Sequence, residues 1–139
     1  MKKESPISKA SAAVSSTSAG GRSRVSAVSK YQPLKHYQWG SDCDGWNLVD
    51  EDSLSVKQEL MPSGTKEVKH VHQKAQQFFY ILKGKATFEI EDSTIELNEG
   101  EGLHIEAGAK HRIINNSKED LEFILCSQPS TKDDRINCE

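Results

Sequence analysis

Three histidines and a glutamine set the chemistry this chain can attempt. His70 and His72 flank Val71. In an extended strand, residues i and i+2 project to the same face, so both imidazoles can reach one point. Gln77 opens the apolar run Gln77-Phe78-Phe79-Tyr80-Ile81-Leu82. Alternation puts Gln77, Phe79 and Ile81 on one face and Phe78, Tyr80 and Leu82 on the other. Gln76 cannot stand in for Gln77, because a one-residue shift turns it to the opposite face. A third histidine, His111, begins a later extended stretch after a turn at Gly108. Three imidazoles with an amide oxygen are a donor set for one divalent transition ion: Fe, Ni, Mn, Zn or Cu, among which residue type does not select. Imidazole binds metal only when neutral, so occupancy is expected to fall as pH drops through roughly 6.5. A His-x-His pair alone is weak evidence, since such histidines are more often surface or structural residues.

The elements that must position these side chains read as strands. Turn signals recur at Asp44-Gly45, Pro62-Ser63-Gly64, Lys83-Gly84, Glu91-Asp92-Ser93, Asn98-Glu99-Gly100, Ala107-Gly108 and Asn115-Asn116. Between them lie apolar stretches at 46–49, 54–60, 68–72, 77–82, 86–90, 94–97, 103–105, 112–114 and 121–126. No long segment carries a 3.6-residue period, which predicts an all-β sandwich or barrel of antiparallel strands.

The glycines around the histidines give the site a frame. Gly64 is followed after five residues by His70-Val71-His72, after four more by Gln77, and after six more by Gly84. Gly100 is followed after five residues by Glu106-Ala107-Gly108, after two more by His111, and after three more by Asn115. These spacings resemble the two motifs of the cupin superfamily, G(X)5HXH(X)3–4E(X)6G and G(X)5PXG(X)2H(X)3N. The departures are Gln77 for Glu and Glu106 for Pro. The resemblance covers residues 64 to 115 and implies a single antiparallel β-barrel of the cupin or jelly-roll type. It assigns residues 31–139 to one cupin domain, with motif 1 at 64–84 and motif 2 at 100–115. It also implies a metal held by His70, His72, Gln77 and His111, and association as a homodimer. Outward Phe78 and Tyr80 would supply an apolar patch for that pairing.

The departure at 77 has consequences of its own. Glutamine brings an oxygen without charge, leaving a dication uncompensated by three neutral imidazoles. Such a site should favour an anionic or enolisable small molecule at an open position. The loss of Pro at 106 removes a fixed φ from the turn before His111. Asn115 reads as a turn residue that bonds its neighbours, not as a ligand contact. His104 falls off the Leu103/Ile105 face, and His36 has no partner at metal-ligand spacing. Lys66, Lys69, Lys74 and Lys110 lie near the histidines in sequence, where they either draw an anion or are solvated loop charges. Glu67 and Glu106 would partly cancel that field.

Composition narrows the classes of function. Residues 1–30 carry six basic side chains against Glu4 alone, in a Ser/Ala-rich stretch without aromatics before Tyr31. This reads as a disordered tail, with an organellar transit peptide as the alternative. The other 109 residues hold 12 basic and 20 acidic side chains, which disfavours nucleic acid as the partner. No apolar run approaches the roughly 20 residues that cross a bilayer. Cys43, Cys126 and Cys138 lack metal-ligand or CxxC spacing and suit a reducing compartment, so a cytoplasmic location is expected. The readings left open are a metalloenzyme of oxygenase or isomerase type and a non-catalytic small-ligand binder, metal-free in one version.

Overall fold

The structure, a computed structural model, describes residues 25–139. Residues 1–24, most of the expected tail, lie outside the described residues. The strands are β1 (Lys35–Trp39), β2 (Cys43–Glu51), β3 (Leu54–Met61), β4 (His70–Val71), β5 (Gln76–Lys83) and β6 (Ala86–Ile90). They continue with β7 (Ser93–Leu97), β8 (Gly102–Ile105), β9 (His111–Ile114), β10 (Leu121–Gln128) and β11 (Ile136–Asn137). No described residue is in a helix, so among these residues no helix is long and apolar enough to cross a membrane.

Two antiparallel sheets form the jelly roll. One runs β1-β2-β3-β10-β5-β8 and the other β11-β4-β9-β6-β7. Their inner faces meet in a core of Met61, Phe79, Ile81, Phe88, Ile113, Leu121 and Phe123. Phe79 of the first sheet meets Phe88 of the second edge to face, with ring centroids 4.9 Å apart. The alternation along β5 holds residue by residue: Gln77, Phe79 and Ile81 are buried, whereas Phe78, Tyr80 and Leu82 are exposed.

Two features depart from the sequence expectation, and both bear on the site. A strand at 35–39 precedes the first expected one, and the C-terminal residues, where no strand is expected past 126, fold back onto the sheet. β11 pairs with β4 in the register Ile136↔Val71 and Asn137↔His70. The Cys138 N–H donates to the Lys69 carbonyl at 2.8 Å. Asn115 is fully buried, and its amide donates to the Met61 and Glu119 carbonyls at 2.8 and 2.9 Å, a purely structural task.

Candidate metal centre

The site is assembled from three strand ends and two turns. β4 and β9 pair antiparallel with His70 opposite His111, which brings two imidazoles from distant parts of the chain side by side. His72 continues the alternation just past β4 and is buried like His70. Gly108 has φ 89°, a left-handed conformation open to glycine at no steric cost, and its N–H donates to the His72 carbonyl at 2.7 Å. That bond ties the turn feeding His111 to the histidine pair. On the opposite sheet, β5 carries Gln77 inward.

The three rings lie close together. Their centroids are 4.4 Å apart for His70–His111, 4.8 Å for His70–His72 and 5.7 Å for His72–His111. One nitrogen from each lies within 4.8 Å of the others, so the cluster could hold a metal ion. Each Nδ1–H is committed to a backbone carbonyl: His70 to Val68 at 2.8 Å, His72 to Asp134 at 2.7 Å and His111 to Ala109 at 2.9 Å. This fixes the tautomer and leaves the Nε2 lone pairs free. Burial pushes the pKa of His70 down to about 3 and lowers those of His72 and His111, against the raising effect of these carbonyl contacts. The imidazoles are therefore neutral, the form that ligates metal.

Gln77 faces His111 from the opposite sheet. Its Nε2 donates to Ser127 Oγ at 3.0 Å, and its Oε1 lies 3.0 Å from His111 Nε2. With His111 Nδ1–H committed to Ala109, both of those facing atoms are electron-pair donors. Two acceptors turned toward one another leave a place that a cation could fill.

His70, His72 and Gln77 form part of the wall of a cavity of about 220 Å³ between the sheets, with His111 behind them. Trp39, Phe79 and Leu125 give its apolar lining, while Lys57 and Arg135 bring positive charge. Sequence reasoning missed the acidic side of this cavity. The Tyr37 phenol donates to the Glu59 carboxylate. Burial raises the pKa of both groups, and the Glu59 charge raises Tyr37 further. Gly45 admits the Tyr37 ring, because a Cβ there would fall 2.1 Å from it. Glu67 has Oε2 at 3.9 Å from His70 Nε2 and 3.7 Å from Arg135 Nη1. Burial and the neighbouring Glu59 raise the Glu67 pKa to about 8, opposed by Arg135. Arg135 and Asp134 belong to the C-terminal return, which carries no motif. The Asp134 carboxylate accepts from the N–H groups of Gln73, Lys74 and Ala75 at 3.0 Å.

Other sequence candidates lie elsewhere. His104 Nε2 contacts Gln76 on the outer face, and His36 stacks on Trp46. Lys66, Lys74 and Lys110 are exposed, and Lys69 pairs with Glu89 at 3.8 Å. A wider groove of about 490 Å³ beside Lys83, Gly84 and Lys85 has no histidine in its lining.

A family model described as "Cupin domain" matches residues 56–127, which is more than half of the chain and contains the whole histidine cluster. The chain is a cupin. The cupin is similar to an uncharacterized protein of Methanocaldococcus jannaschii, MJ1618, at 27% identity over 83 residues. That match covers 60% of this chain and 66% of the relative, just under two thirds of its length. Among solved structures, KdgF from Halomonas sp. superposes with a TM-score of 0.70 at 16% identity, covering 78% of this cupin and 97% of that chain. A predicted oxalate decarboxylase from Thermotoga maritima superposes with a TM-score of 0.67 at 18% identity, covering 75% and 99%. At these identities the likeness is one of fold.

Proposed function

We propose that this cupin binds one divalent transition ion through His70, His72 and His111, with the Gln77 amide oxygen as a weaker fourth ligand, and acts on a small anionic or enolisable compound. The observation that carries this reading is the set of three buried, neutral imidazoles whose Nδ1 atoms are all committed to backbone carbonyls. A bound ion would supply Lewis acidity, polarising a carbonyl or enolate oxygen, as isomerase-like or oxygenase-like chemistry needs. The chain's own residues would bind and orient the compound. A cavity of about 220 Å³ suits a small molecule. Lys57 and Arg135 attract an anion, Phe79 and Leu125 exclude water, and Trp39 Nε1 is a buried donor without a hydrogen-bond partner. The Thermotoga maritima fold relative is described as a predicted oxalate decarboxylase, and oxalate is an anion of that small size. The three cysteines are free, which supports a reducing, cytoplasmic setting, or an organelle if residues 1–30 are a transit peptide.

A second reading is a metal-free binding pocket. Turning the Gln77 amide over would let its NH2 donate to His111 Nε2 and its oxygen accept from Ser127, satisfying the buried groups without an ion. Elemental analysis of protein purified without chelator, with an activity screen under air against small carboxylates and enolisable carbonyl compounds, decides between the two. The metal reading expects close to one ion per chain, and a loss on His72→Ala greater than the about 10–100-fold typical of an outer-shell partner. No bound metal, together with Ni(II), Zn(II) and Mn(II) binding no tighter than to His72→Ala, would establish the pocket alone.

A further inference from the structure

We propose that Glu67 supplies to a bound divalent cation the carboxylate that position 77 lacks. The inference rests on the metal-site reading above and adds a protein ligand to it. Glu67 is fixed beside β9: its N–H donates to the Ile113 carbonyl at 3.0 Å, and its Oε1 accepts from the Ile113 N–H at 3.3 Å. With Oε1 held by backbone, Oε2 lies on the histidine side, and Glu67 shares the cavity wall with His70, His72 and Gln77. Its 3.9 Å separation from His70 Nε2 is too long for a hydrogen bond. Donors of one ion bound at about 2.1 Å are roughly 3.0 Å apart when cis and roughly 4.2 Å when trans, so 3.9 Å is within reach of a shared ion. The compact donor group itself is His70, His72 and His111, so the Glu67 arm must close on the ion.

A structural ion pair does not account for Glu67 as well. Arg135 Nη1 lies 3.7 Å away, and the Arg135 side chain is 40% exposed against 15% for Glu67. So loose and solvated a pair contributes little. The other carboxylate in the cavity, Glu59, is engaged by the Tyr37 phenol. Charge points the same way. Three imidazoles and an amide bring none, so one carboxylate reduces a dication to a net single positive charge, still open to an anionic ligand.

The test is calorimetric titration of Mn(II) and Zn(II) into the metal-free full chain, with the Mn(II) electron paramagnetic resonance spectrum as an independent view of the ligand set. Glu67→Gln keeps an oxygen for the Ile113 N–H, and the far-UV spectrum and melting temperature report on its fold. Affinity should fall by at least about tenfold, the Mn(II) spectrum should change, and Gln77→Glu in the Glu67→Gln background should restore binding. Glu67→Asp, which keeps the charge on a shorter arm, should lie between the two. Unchanged affinity and spectrum in Glu67→Gln, with wild type binding, would overturn the role of Glu67 alone. Failure of wild type to bind either ion would overturn this inference together with the metal-site reading.

Discussion

Burial holds the three imidazoles neutral where free histidine would already be taking up protons, so proton competition for the cation begins at lower pH than the unperturbed value of about 6.5 suggests. The sign follows from linkage. With His70 at about 3 when folded and 6.5 when unfolded, the unfolded chain binds more protons across that interval. Stability of the metal-free protein is therefore retained above about 6.5 and lost as pH falls toward 3. Glu67 acts in the opposite sense: raised from 4.5 to about 8, it is stabilising below 4.5, and that contribution is lost as pH rises through about 8. Nuclear magnetic resonance of the metal-free protein should find the rings of His70, His72 and His111 in the neutral form at pH 6.5. Titration of all three at or above 6.5 would contradict the burial argument. The same residues show what spacing can convey. The His-x-His pair and the glycine frames made His70, His72, Gln77 and His111 legible because period-two alternation within each strand turns them inward, from two facing sheets. Glu59, Glu67 and Tyr37 reach the same cavity through pairing with distant residues, and no local pattern marks them.

The element that sequence reading missed most completely is the C-terminal return, residues 129–139. Its strand has two residues, too few for alternation to register, and its anchor is one aspartate in a charged loop. Yet the Asp134 carboxylate gathers the N–H groups of Gln73, Lys74 and Ala75, and its backbone carbonyl holds His72 Nδ1. The side chain thus sets the path between β4 and β5, while the main chain beside it sets a ring. Asp134→Ala strands these donors, Ala75 N–H in a buried position among them, and should cost about 1–3 kcal/mol in urea unfolding. It should also weaken metal binding, since the loop that orients His72 loosens. Unchanged stability and unchanged affinity would mean that water replaces the carboxylate without loss. Most of the strands that were legible, from β2 to β10, are long or buried enough to alternate, whereas β7, exposed except at Leu97, is marked by the turn signals on either side and the two-residue β4 by its histidines. β1 escaped because its run Lys-His-Tyr-Gln-Trp is polar and largely exposed, formed by pairing with β2 more than by a core face of its own.

At the scale of the whole molecule, the six-stranded sheet presents an apolar outer face. Phe78, Tyr80 and Leu82 of β5 are each more than 40% exposed. Register places Cys126 and Ile124 of β10 opposite Phe78 and Tyr80, and Val56 and Gln58 of β3 opposite Cys126 and Ile124. Cross-strand partners share a face, so the aromatic pair, with ring centroids 6.4 Å apart, continues over Ile124 and Cys126 of β10 to Val56 of β3, where Gln58, bonded to Glu122, marks its polar limit. A contiguous apolar band on an outer sheet face is an expected association surface, because covering it removes from water area worth ~25 cal/mol per Å². A homodimer formed through this face is the expected outcome. Sedimentation velocity at micromolar concentrations should give a dimer for wild type and a monomer for the double substitution Phe78→Lys, Tyr80→Lys. The core side of β5 is untouched by these changes, because positions 78 and 80 point away from Gln77 and Phe79, so the variant should fold and keep its metal affinity. A wild-type monomer at those concentrations would remove the prediction. A variant that stays dimeric would move the interface to another face.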